Sequence, residues 1–148
     1  MPHTDAYIKA MALLAISDMS ERKLREKLAA KGFSSEDIAE ATNELRSQGY
    51  ISDDRLIENL VNYYAKKKYY GRYRIRLELL SKFDRKSVDR SFDCACELID
   101  FKAVASEIAI KEAAKGVERE KLIRKLQRLG HDTVSIRGAL SEIADPEK

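Results

Sequence analysis

Apolar residues recur along this chain at three- and four-residue intervals, the period of a helix buried on one face. Leu24 and Leu28 stand four apart, as do Ile75 and Leu79, and Leu122 and Leu126. No two alternating segments flank a hairpin turn, so the pattern predicts helices and excludes a winged-helix arrangement. Helices are expected from about Asp5 to Ser17, with Ile8, Met11, Leu14 and Ala15 inward, and from Ser52-Asp53-Asp54 onward, with Leu56, Leu60 and Tyr63 or Tyr64 inward. Another is expected over 99–114, carrying Val104 and Ile108. Ser52, Ser34 or Ser35, Asp84 and Asp132 suit helix starts, because a short polar side chain accepts from the free amides of the first turn. Gly32 and Gly130 suit helix ends, where the backbone turns left-handed.

The pattern repeats. Lys23-Leu24-Arg25-Glu26-Lys27-Leu28 followed by Gly32-Phe33 corresponds to Arg74-Ile75-Arg76-Leu77-Glu78-Leu79 followed by Phe83. It returns in Lys121-Leu122-Ile123-Arg124-Lys125-Leu126 followed by Gly130-His131. The offset is 51 and then 50 between the first two copies, because the second lacks the glycine before Phe83, and 98 between the first and third. Each copy has a helix before it and another after it. The reading is an all-α protein of three tandem three-helix repeats, 5–50, 51–98 and 99–145, forming an elongated, curved array. Such units bury little alone and stabilise one another by stacking. A two-helix solenoid of shorter period is the closest rival, and the three-helix phasing fits better.

Composition agrees with helix. The only prolines in 148 residues are Pro2 and Pro146, so no proline interrupts the interior. No apolar run is long enough to span a bilayer, and the first residues lack the basic and apolar regions of a signal peptide. Cys94 and Cys96 point in different directions on a helix and are read as reduced, in a cytoplasmic protein. The net charge of +3 is unevenly spread: residues 1–50 sum to −1, residues 51–90 to +5 and residues 91–148 to −1.

The middle excess lies in Lys66, Lys67, Lys68, Arg72, Arg74 and Arg76, interleaved with Tyr69, Tyr70 and Tyr73 and unbroken by an acid until Glu78. Arginine grips phosphate or carboxylate with paired bonds, lysine adds mobile charge, and tyrosine stacks on bases. The expected site is therefore Lys66, Lys67, Lys68, Tyr69, Arg72, Arg74 and Arg76, facing DNA phosphates or acidic protein loops. The blander account has the lysines complementing a helix C-terminus and Arg74 pairing with Glu78 one turn on. Lys121, Arg124, Lys125 and Arg128 form a secondary basic face on the matching helix, diluted by Glu118 and Glu120.

Nothing in the pattern marks an enzyme or a cofactor site. His3 sits at the terminus, and His131 occupies a position that is aromatic in the other copies, which points to packing. There is no zinc-type His/Cys spacing and no glycine-rich phosphate loop.

The stretch Tyr70-Gly71-x-x-Arg74-Ile75-x-x-Glu78-Leu79, preceded by Asp53-Asp54-x-Leu56 and flanked by the first and third copies, resembles the RecX family over roughly residues 6–143. The resemblance implies a non-enzymatic regulator, and a monomer is the default expectation. Its expected partner is the RecA recombinase filament on single-stranded DNA, whose extension, ATPase, strand exchange and coprotease activity such proteins typically limit; many also bind single- or double-stranded DNA directly. A general DNA-binding helical module, or a scaffold for another protein, are the competing readings. Three departures bear on local turns: Tyr69 stands where the family usually has glycine, the second copy lacks the glycine before Phe83, and His131 replaces the aromatic.

Overall fold

The computed structural model describes residues 4–143. Pro2, His3, Pro146 and the end of the third expected unit lie outside them. The described residues form nine helices and no strand: α1 (Asp5–Ile16), α2 (Glu21–Ala30), α3 (Ser35–Ser47), α4 (Asp53–Lys67), α5 (Arg72–Leu80), α6 (Arg85–Glu97), α7 (Phe101–Ala114), α8 (Arg119–Arg128) and α9 (Thr133–Ser141). The fold is an all-α repeat array.

Helix starts follow local chemistry. Ser20, Ser34, Ser52, Asp100 and Asp132 each accept a first-turn amide through the side chain. Helix ends divide by sequence. After α2 and α8, Gly32 and Gly130 are left-handed (φ 93° and 92°), and Phe33 and His131 donate to the carbonyls of Leu28 and Leu126. After α5 no such residue exists; Phe83 donates directly to Leu79, 2.8 Å away. The tighter turn accounts for the one-residue difference between the copies.

Three apolar clusters run along the chain. The first joins Ala6, Tyr7, Ala10, Leu24, Leu28, Ile38, Leu45 and Ile51. The second joins Ile57, Val61, Tyr64, Ile75, Leu79, Phe83, Val88 and Phe92, and takes in Val104 from α7. The third joins Ala105, Ile108, Leu122, Leu126, Ile136 and Leu140. Two expected faces are corrected. Helix α1 buries Ala6, Tyr7 and Ala10, leaving Ile8 exposed, because small residues let α1 approach α3 closely. Helix α4 turns Ile57, Val61 and Tyr64 inward; Leu56 and Leu60 are only half-buried and Tyr63 faces out.

The middle helices meet end to end. The α8 C-terminus abuts the α5 N-terminus: the Gly71 N–H donates to the Leu129 carbonyl (2.6 Å) and the Tyr73 N–H to the Gly130 carbonyl (3.3 Å). The far end of α5 meets the first turn of α2, where the Arg22 guanidinium donates to the carbonyls of Ser81 and Phe83. Amide ends thus face carbonyl ends, the favourable alignment of helix dipoles.

Candidate partner-binding face

The expected basic segment is divided by the fold. Lys66 and Lys67 lie in the last turn of α4 and Lys68 caps it. All three are exposed, and their side chains make no hydrogen bond or ion pair among the described residues. They are the free charge of the segment.

The arginines are engaged. Arg72 pairs with Asp93 and stands 5.0 Å over the Phe92 ring. Arg76 pairs with Asp89 at 2.8 Å and approaches the same ring at 5.6 Å. Arg74 donates to Glu78 (3.1 Å) and to the Arg128 carbonyl (3.2 Å), and lies 4.6 Å over the Tyr70 ring. Tyr70 in turn stacks on Tyr64, whose hydroxyl holds the Lys82 ammonium at 2.8 Å. That hydrogen bond raises the Lys82 pKa above its ordinary value, against the opposing effect of burial.

Tyr69 is the one non-glycine residue with a left-handed backbone among those described (φ 58°). Its ring packs against both the second and third clusters, its hydroxyl meets Lys111, and its carbonyl meets His131 Nε2 at 2.8 Å. The bond to the Tyr69 hydroxyl lifts the Lys111 pKa. Tyr69 therefore binds two repeats together. His131 is buried, and burial lowers its pKa despite the Tyr69 carbonyl. A neutral imidazole with Nε2–H donating to that carbonyl leaves Nδ1 without a partner.

On α8, Lys121, Arg124 and Arg128 are exposed. Lys125 is not free: it pairs at 2.9 Å with buried Glu112 and holds that carboxyl below its usual range. The hydrogen bond from Arg74 to the Arg128 carbonyl brings the end of the second basic set against the first, although the two lie 54 residues apart.

Sequence reasoning missed two features. Asp53, read as a helix start, is buried and joins two repeats; its Oδ1 accepts from the Glu21 N–H (2.9 Å) and its Oδ2 from the Ser87 hydroxyl (2.9 Å). Tyr73 and Leu77 are 70% and 66% exposed, on the outer side of α5. Comparing outward positions between the copies could have found the second; no local signal marks the first.

No group of three His, Cys, Asp or Glu side chains among the described residues is arranged to hold a metal ion. No described helix is long and apolar enough to cross a membrane.

The described residues thus define an all-α repeat array whose junctions are lined by charged and aromatic side chains. The family model described as "RecX, first three-helix domain" matches residues 6–45. Over 141 residues the chain is 33% identical to "Regulatory protein RecX" of Vibrio vulnificus, covering 91% of this chain and 90% of that one. It is 34% identical over 136 residues to the same-named protein of Vibrio cholerae, covering 88% of each. The crystal structure of RecX from Lactobacillus salivarius superposes with a TM-score of 0.80, covering 93% of both chains at 19% identity. The chain belongs to the RecX family, whose named relatives are regulatory proteins.

Proposed function

We propose that this protein binds the RecA recombinase filament on single-stranded DNA and limits its extension, ATPase, strand exchange and coprotease activity. The observation that carries the reading is similarity, over most of the chain, to proteins named regulatory protein RecX. The protein acts in the cytoplasm, as a monomer, with units 5–50, 51–98 and 99–145 tracking an extended partner. Its anionic contacts fall on Lys66, Lys67 and Lys68, with Lys121, Arg124 and Arg128 as a second set. Arg72, Arg74 and Arg76 support the face through their ion pairs and contribute less free charge, and Tyr69 and Lys125 hold its framework.

The test is RecA ATPase on single-stranded DNA with substoichiometric amounts of this protein. Inhibition with shortened filaments is expected. Unchanged ATPase and filament length would overturn the reading. The unpaired lysines favour one second reading, a DNA-binding helical module acting without RecA contact. In that case inhibition would track affinity for bare DNA across variants.

A further inference from the structure

Helix α5 is apolar on opposite sides. Ile75 and Leu79 are fully buried in the second cluster. Tyr73 and Leu77, 70% and 66% exposed, stand one turn apart on the outside and join no apolar cluster among the described residues. A helix that is apolar on both faces is one packed on both. The repeat supplies an internal comparison. The positions equivalent to Tyr73 and Leu77 are Arg22 and Glu26 in the first copy and Glu120 and Arg124 in the third. Glu26, Glu120 and Arg124 are exposed and Arg22 serves the junction with α5, so the array does not need apolar residues there, and only the middle copy has them.

Tyr73 also lines a cleft of about 280 Å³ together with Phe92, Phe101, Arg72, Arg76 and His131. Its charges are already balanced. Arg72 is paired with Asp93 and Arg76 with Asp89, and both carboxylates are more than half exposed. Asp132 adds a further negative charge to the lining. Arg85 also reaches Asp89 (3.8 Å), so a polyanion approaching this face would meet three carboxylates for three guanidinium groups and no excess of positive charge. An uncharged apolar side chain would meet aromatic rings and the flat faces of ion-paired arginines.

We infer that the outer face of α5, Tyr73 and Leu77 with the adjoining Phe92–Phe101 cleft, is a protein-docking surface that receives an apolar side chain of the partner. This rests on the proposed RecA-filament reading and separates the protein contact from the anionic contact at Lys66–Lys68. Burying two such side chains contributes enough to change binding tenfold or more.

The experiment uses Tyr73→Arg/Leu77→Glu, which places the first copy's residues on the same outward positions and leaves net charge unchanged. Tyr73→Ser/Leu77→Ser serves as a second variant, and circular dichroism verifies helix content in both. Affinity is measured for preassembled RecA filaments and for bare single-stranded DNA of the same length, with sedimentation velocity alongside. The expected result is at least a tenfold loss on filaments with bare-DNA affinity within twofold of wild type. Filament affinity within twofold of wild type would overturn the inference, as would an equal loss on bare DNA. So would a wild-type dimer that either variant dissociates, since the face would then belong to a second copy. Wild-type protein that fails to bind filaments at all sinks the underlying reading and this one with it, an outcome distinct from retained binding by the variants.

Discussion

Gly71 and Gly130 meet backbone against backbone, where the N-terminus of α5 rests on the C-terminus of α8. A Cβ on Gly71 would lie 2.5 Å from the His131 amide nitrogen and nearer still to the Gly130 carbonyl. One on Gly130 would strike the backbone of Arg74. Neither neighbour is a flexible side-chain end, so the helices themselves must separate.

Gly71→Ala is therefore expected to destabilise the protein by about 2–4 kcal/mol, combining overpacking with a weakened junction hydrogen bond. Gly130→Ala should cost more, because its backbone is also left-handed. Gly138→Ala is the control. It sits within α9 with nothing within 4 Å of an added Cβ, and should stabilise by about 0.5–1 kcal/mol. Urea denaturation of the three variants checks the order.

At position 69 the usual ranking of alanine and glycine should reverse in favour of glycine. Both Tyr69→Ala and Tyr69→Gly remove the same ring packing. Only alanine retains the left-handed penalty of about 1 kcal/mol at φ 58°. Equal stability of the two variants would show that the backbone relaxes once the ring is gone.

His131 makes stability depend on pH near neutrality. Burial depresses its folded-state pKa, so its stabilising contribution is complete above the unfolded value of about 6.5 and declines as pH falls through the depressed folded value. Asp54, Glu112 and Asp132 are held below their ordinary values by hydrogen bonds, so their contributions decline only at more acid pH. Chemical denaturation at pH 7.5 and 5.5 should show wild type losing stability and His131→Phe losing less. Parallel losses would assign the effect elsewhere.

Replacing Lys66, Lys67 and Lys68 with glutamine should reduce the log–log salt slope for single-stranded DNA by about 2, at ~0.7 for each phosphate that a lysine neutralises. The chain should keep its fold, since these side chains support no other group. A slope that does not move would remove the lysines from the DNA interface.

Asp53→Ala should weaken the first junction by about 2–4 kcal/mol, by leaving the Glu21 amide and the Ser87 hydroxyl without their shared charged acceptor. Limited proteolysis should then cut faster between α3 and α4. An unchanged cleavage rate would place the strength of this junction in Arg22 and Arg25 instead, which reach Ser81 and Asp84 across the same gap.

Helices, serine caps and glycine stops are legible in the sequence because their causes lie within four or five residues. Leu24 and Leu28 announce a buried stripe, Ser34 caps the Asp37 amide, and Gly32 turns the chain left-handed. The basic segment is legible locally in its lysines at a helix C-terminus and in its Arg74–Glu78 pair. Its division into free lysines and engaged arginines depends on Asp89 and Asp93 in the next helix, which no short-range pattern connects to Arg76 and Arg72. The inward face of α1 departs from expectation for a related reason. Hydrophobicity favours Ile8, whereas close packing on α3 selects Ala6 and Ala10.

The helical class, the repeated pattern and the family likeness can be read along the chain, since periodicity and local backbone preference act between near neighbours. How the copies join depends on contacts between distant segments. These contacts set α8, α5 and α2 end to end, bring Gly71 against Gly130 and make Asp53 a bridge. They also leave Tyr73 and Leu77 facing outward. Those outcomes depend on which distant backbone groups find each other when buried amides and carbonyls must all be paired, a condition that only the assembled fold imposes.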